Sequence, residues 1–244
     1  MRRVALITGG SRGIGAACVR LFAENGYAAV FLYRSRDDKA RALVEELRGK
    51  GLDAACWRCD VADGEQVRTT IAEILRLYHH IDVLVNNAGV AHIGLLTDMT
   101  ENEWNAVFQT NIGGVFHVTQ SVLPGMISRR QGSVVNVSSM WGETGASCEV
   151  AYSAAKAAVI GFTKALAKEV GPSGVRVNCV SPGLIDTDMN AELDEEAMRE
   201  LAEETPLSRV GTAEEVARAV LWLAEDGASF ITGQVLGVSG GLQI

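Results

Sequence analysis

The sequence predicts a doubly wound α/β fold: a mostly parallel seven-stranded sheet with helices on both faces, in one domain spanning residues 1–244. Three observations carry that expectation. Short β-branched and apolar runs alternate with segments of helical spacing, and parallel neighbours need a crossover helix between them. A glycine-rich turn separates the first run from the first helical segment, at the carboxyl edge where such sheets bind ligands. The 244 residues are 48% hydrophobic and 21% charged, which suits a globular chain whose core needs neither disulfide nor metal.

Val4–Thr8 is a β-branched and apolar run that ends in glycines. Ile14, Ala17, Cys18, Leu21 and Phe22 then share one helical face, and Gly26 is a stop signal. The alternation predicts a strand at Ala29–Tyr33 and a helix at Asp37–Gly49, then a strand at Ala54–Arg58 and a helix at Glu65–Tyr78. Val83–Asn86 is the fourth strand, and helical spacing then runs from Glu101 to about Ser128. Ser133–Ser138, Ala151–Val170 and Val175–Val180 predict strand, helix and strand, and Thr212–Glu225 and Val235–Val238 a last helix and strand. Thr100 with Glu103, and Thr212 with Glu215, have the spacing of capping boxes at helix starts. Leu184–Arg209 breaks the alternation and is rich in Glu and Met. It is read either as a substrate lid over 184–209 or as a surface helix pair.

Lys and Arg number 22 against 30 Asp and Glu, a net charge of −8, which argues against broad nucleic-acid or anionic-membrane binding. No apolar run approaches the roughly 18 residues of a membrane span. Arg2 and Arg3 precede an apolar stretch, Val4–Ile7, too short for a signal peptide. The expected location is cytoplasmic, and five cysteines, an odd number, fit reduced thiols. Cys56 and Cys59 form a C-x-x-C, but their segment reads as a strand, where such positions face opposite sides. The four histidines show no ligand spacing, so no metal is expected.

The turn after the first strand reads Thr8-Gly9-Gly10-Ser11-Arg12-Gly13-Ile14-Gly15. Its glycines permit a tight turn and close approach of a pyrophosphate, and the following helix N-terminus favours anions. Gly9, Ser11, Arg12, Gly13, Ile14 and Gly15 are therefore candidate dinucleotide contacts. The second strand ends at Tyr33 and Arg34, where NAD-binding sheets carry an acid for the ribose. With no acid there, Arg34 and Arg12 are placed to face a 2′-phosphate, so the expected cofactor is NADP(H).

Further motifs follow the later strands: Asp60-Val61, Asn86-Asn87-Ala88-Gly89, Asn111, Ser139, Tyr152-x-x-x-Lys156 and Pro182-Gly183. Tyr152 and Lys156, at i and i+4, share one helical face, and a nearby ammonium is expected to lower the tyrosine pKa toward a range useful for proton transfer. In this order and spacing the motifs resemble the short-chain dehydrogenases/reductases over essentially the full chain. The resemblance implies a Rossmann-type fold and an oxidoreductase acting on carbonyl groups. It makes Tyr152 the proton donor, Lys156 a holder of the nicotinamide ribose, Ser139 a donor to the carbonyl oxygen and Asn111 the holder of a relay water. Ser139, 13 residues before Tyr152, is preferred to Ser138 for that role. It also implies cofactor contacts from Asp60 and Val61 at the adenine, from Asn87, Ala88 and Gly89, and from Pro182, Gly183, Ile185 and Thr187 toward the nicotinamide. Those residues argue against a module that senses the cofactor without catalysis.

Within the family the broad likeness is to 3-oxoacyl-[acyl-carrier-protein] reductases. Arg129 and Arg130 resemble the basic spot those enzymes present to their carrier, but Ser173 stands at a second position where they have a base. The loop from Ser139 to Tyr152 is instead similar to that of bacterial elongation factor P 5-aminopentanone reductases, which reduce a ketone on a modified lysine. That substrate carries an amine, so Glu143 and Glu149 are candidate partners for it and Trp141 a candidate cation–π face. The expected reaction is thus NADPH-dependent reduction of the aminopentanone on elongation factor P, with 3-oxoacyl groups of acyl carrier protein as the alternative. The resemblance further implies a homo-tetramer, with Glu101–Ser128 and Ala151–Val170 as contact surfaces.

Overall fold

The fold is described from a computed structural model, in which residues 2–188 and 195–242 are described. Seven strands form one sheet in the order β3-β2-β1-β4-β5-β6-β7, every neighbouring pair parallel. They are β1 Val4–Thr8, β2 Ala28–Tyr33, β3 Ala54–Arg58, β4 Val83–Asn86, β5 Gly132–Val137, β6 Val175–Pro182 and β7 Val235–Val238. The order reverses beside β1, so a crevice opens beyond the carboxyl ends of β1 and β4.

Both faces of the sheet are covered, which explains why its strands read as continuous apolar runs. Ala5 and Ile7 of β1 and Ala29, Phe31 and Tyr33 of β2 enter one core, with α1 (Gly13–Glu24), α2 (Asp37–Gly49) and α9 (Ala213–Ala224). Val4, Leu6, Ala28, Val30 and Leu32 enter the other, with α3 (Gly64–Tyr78), α5 (Gly114–Arg129) and α7 (Val150–Val170). The same alternation parts the C-x-x-C: Cys56 packs against the first core, while Cys59 lies in the second.

Three features depart from the expected elements. The long helix after β4 is α4 (Glu101–Phe108), a π turn over Gln109–Gly113, and then α5. A short helix, α6 (Trp141–Thr144), follows β5. The 184–209 region holds α8 (Glu195–Glu204) and a bridge from Ile185 to Gly211, while its residues 189–194 lie outside those described. Both capping boxes form as spaced, at Thr100 with Glu103 and at Thr212 with Glu215. No described helix is long and apolar enough to cross a membrane.

Candidate active site

The first cavity lies over the carboxyl ends of β1, β2 and β4. Gly9, Ser11, Arg12, Gly13 and Ile14 line one wall, Arg34 with Asp60 and Val61 a second, and Asn87, Ala88 and Gly89 a third. The glycines are there for space. A Cβ on Gly15 would come within 2.1 Å of the Gly9 carbonyl, and one on Gly10 within 2.5 Å of Phe31. Gly9 and Gly13 have φ of 67° and 52°, which side chains disfavour. Gly15 does not line the cavity; it lets α1 close on the turn. A Cβ on Gly89 would sit 2.6 Å from Asn111 Oδ1 and 3.4 Å from Lys156 Nζ, so that glycine keeps open the space beside these two side chains.

Thr8 fastens this region together, although the motif it opens offers only its glycines, Ser11, Arg12 and Ile14 as candidate contacts. Its hydroxyl accepts the Asn87 and Ala88 N–H groups at 2.9 and 3.0 Å, while Asn87 Nδ2 donates to the Thr8 carbonyl at 2.9 Å. The glycine-rich turn and the loop after β4 are thereby one unit. Asp60 accepts the Ala62 N–H at 3.0 Å, and its own N–H bonds Gln66. Arg34 is exposed on the rim, and among the described residues no ion pair engages it.

The second cavity joins the first through Ile14, Asn87, Gly89 and Thr187, which line both. Ser139, Tyr152 and Lys156 face it, as do Pro182, Gly183 and Ile185. The structure separates the two serines. Ser138 donates to the Lys156 carbonyl at 2.8 Å and pins α7 to β5, whereas the Ser139 hydroxyl bonds the Tyr152 side chain. Tyr152 and Lys156 are both buried, with Nζ 5.6 Å from the ring centroid. Lys156 Nζ donates to the Val137 carbonyl at 2.9 Å, a partner no side-chain motif signals.

Burial reverses the expected direction of the tyrosine shift. Desolvation pushes the Tyr152 hydroxyl up to about 12; Ser139 lowers it in part and Glu149 raises it further. Desolvation also brings Lys156 down to about 8. The spacing puts both groups on one face but says nothing of how little water reaches them. A tyrosine held protonated at neutral pH is suited to give a proton, the direction that carbonyl reduction requires.

Asn111 sits in the π turn, fully buried, a setting often found at functional sites. Its amide donates to the carbonyls of Val90 at 2.8 Å and Val107 at 2.9 Å, and its Oδ1 accepts the Val90 N–H at 3.3 Å. Both side-chain donors are thus taken, so a water at Asn111 would have to donate to it.

Of the substrate candidates, Trp141 and Glu149 line the second cavity, and burial raises the Glu149 pKa. Glu143 is exposed on α6 and does not line it. Arg129 donates to the Ile81 carbonyl at 2.6 Å and Arg130 to that of Pro172 at 2.9 Å. Both arginines stand at the amino edge of the sheet, the edge opposite the two cavities within this chain. No group of three or more His, Cys, Asp or Glu side chains among the described residues is placed to hold a metal.

A dinucleotide cradle leading to a buried Ser–Tyr–Lys cluster defines an oxidoreductase of CH–OH and C=O groups. A family model described as enoyl-(acyl carrier protein) reductase matches residues 9–243. The 3-oxoacyl-[acyl-carrier-protein] reductase of Chlamydia trachomatis is 43% identical over 243 residues, 99% of this chain and 98% of the relative. Those of Staphylococcus aureus and Staphylococcus epidermidis are each 41% identical over 242 residues, 99% of this chain and 98% or 99% of the relative. The chain belongs to the short-chain dehydrogenase/reductase family, whose members use a nicotinamide cofactor.

Proposed function

We propose that the protein reduces a ketone, carried on another protein, to a secondary alcohol with NADPH. The observation that carries this reading is the Ser139–Tyr152 hydroxyl pair beside Lys156, in the cavity that joins the glycine-lined one. Two hydroxyls that can converge on one oxygen suit a carbonyl whose oxygen gains negative charge. Tyr152 gives the proton, Ser139 steadies the oxygen, and Lys156 holds the ribose and carries charge near the tyrosine. Asn111 holds the water that returns a proton to that pair. The glycine-rich turn, Asp60, Val61 and Asn87–Gly89 hold the cofactor, which supplies the hydride when bound. Arg12 and Arg34, with no acid at the end of β2, support NADPH over NADH. Five free cysteines support a reducing, cytoplasmic setting.

The substrate divides the support. The relatives' names favour a 3-oxoacyl group on acyl carrier protein, and that likeness runs the length of the chain. The aminopentanone on elongation factor P is favoured by one local observation. Glu149, half-buried, lines the same cavity as Tyr152, with Trp141 also in the wall. A carboxylate there suits an ammonium-bearing ketone and disfavours an acyl chain, which offers it no partner. The deciding measurement is NADPH oxidation with an acetoacetyl thioester and with aminopentanone-bearing elongation factor P, for the wild type and Glu149→Gln. If the aminoketone is the substrate, the variant loses about 10–100-fold in kcat/KM on the modified factor, as when a buried charge loses its partner, and keeps its thioester rate. Higher kcat/KM on the thioester, unchanged by the substitution, assigns the enzyme to acyl carrier protein.

A further inference from the structure

Asp188 stands where the chain leaving β6 crosses the cofactor cavity. Its carboxylate lies 2.9 Å from Lys39 Nζ in the first turn of α2 and 3.6 Å from an Arg12 guanidinium nitrogen in the glycine-rich turn. Lys39 first, then Arg12, hold that carboxyl below its ordinary range. Arg36, whose first partner is Asp38, also feels Asp188 across the same rim. The segment is anchored just before the acid. The Asp186 N–H donates to the Gly211 carbonyl at 2.9 Å, and Thr187 lies over Gly13, where a Cβ would come within 3.4 Å of its methyl group.

Arg12, Arg34, Arg36 and Asp188 all line the rim of the cofactor cavity, and Lys39 closes on Asp188 from the adjoining groove. Two cations that converge on one carboxylate there form a place for another anion. We propose that Asp188 is an internal occupant of the 2′-phosphate subsite. In the cofactor-free chain it holds Arg12 and Lys39 together, and the 2′-phosphate of NADPH takes its place. Lys39 is then a phosphate-binding residue, and Asp188 sets how strongly the site separates NADPH from NADH. The inference rests on the NADPH reading above. A phosphate carries about −1.5 to −2 charge against −1 for a carboxylate and can engage arginine through two oxygens. The exposed ion pairs it replaces are individually weak. NADH has a neutral hydroxyl at that position and cannot compete for the two cations.

The test is equilibrium binding of NADPH and of NADH, followed by cofactor fluorescence, for the full chain, Asp188→Asn and Lys39→Met. Asp188→Asn is expected to bind NADPH about two- to fivefold more tightly, the range that loss of a weak competing ion pair allows, with NADH affinity unchanged. Lys39→Met is expected to bind NADPH more weakly by a similar factor, with a shallower salt dependence and NADH again unchanged. If the wild type prefers NADPH but both cofactors shift alike, or Asp188→Asn binds NADPH no more tightly, Asp188 is only a clasp on the segment and the competition is overturned. If the wild type binds NADH at least as tightly as NADPH, the NADPH reading falls and the competition falls with it.

Discussion

At Lys156 the needs of chemistry and of folding oppose each other. The side chain is buried, and desolvation brings its pKa from 10.5 to about 8. Between those values the unfolded chain binds a proton that the folded chain has released, so this residue makes stability rise with pH from about 8 to 10.5. Below about 8 the folded state bears the full cost of holding the ammonium, offset in part by its bond to Val137. Lys156→Met is therefore expected to unfold at higher temperature than the wild type at pH 7, with a gain of about 1–3 kcal/mol. The gain should shrink as the pH passes from 8 to 10.5, and ketone reduction should be lost. Calorimetry at pH 7 and pH 10 reads this, and a variant that melts lower at pH 7 refutes it. The sequence shows the pair through its four-residue spacing. It does not show the desolvation that decides both pKa directions, because that depends on Val137, Ser138 and β6 closing around the side chains.

At the scale of elements, the legible features are those written into a few neighbouring residues. Strand positions follow from apolar runs, and two capping boxes follow from Thr and Glu three apart. The π turn was not legible: the apolar spacing through Gln109–Gly113 continues that of α4, and the bonds from Asn111 to Val90 that accompany it are tertiary. Helix α3 starts at Gly64, one residue before the Glu65 that the sequence predicts, for a related reason. Asp63 is a cap without a box, accepting the Glu65 and Gln66 N–H groups at 3.0 Å each. Its own N–H donates to the Asp60 carbonyl at 3.1 Å, so the cap closes the turn that presents Asp60 and Val61 to the first cavity. Asp63→Ala is expected to cost about 1 kcal/mol in a urea titration, and Asp63→Asn far less. Equal losses in the two variants would show that the carboxylate acts by charge and not as a cap.

Across the whole molecule, the sheet order was foreseeable as a class because parallel strands with crossovers leave few arrangements. The candidate site gathers residues from several strand ends, to which α7 adds Tyr152 and Lys156 and the π turn adds Asn111. What the sequence conceals is which apolar residues remain uncovered once both cores are filled. Phe116 and Ile127 of α5 and Val150 at the start of α7 are exposed although their helices pack on the sheet with the opposite side. Exposed large side chains on two helices of one face are the arrangement expected if copies of the chain pair through them. The tetramer drawn from the family resemblance thus becomes a specific proposal: α5 and α7 meet their counterparts, and Phe116 is buried there. Light scattering after size exclusion should give four times 26.0 kDa for the wild type. Phe116→Glu places two like charges in each contact of a surface that copies itself, and the mass should fall to two chains or one, because a charge without a partner in such a contact costs several kcal/mol. A wild type that elutes as a monomer at micromolar concentration removes the proposal. A tetramer indifferent to Phe116→Glu moves the contact elsewhere, with α9, whose Trp222 is exposed, the next surface to test.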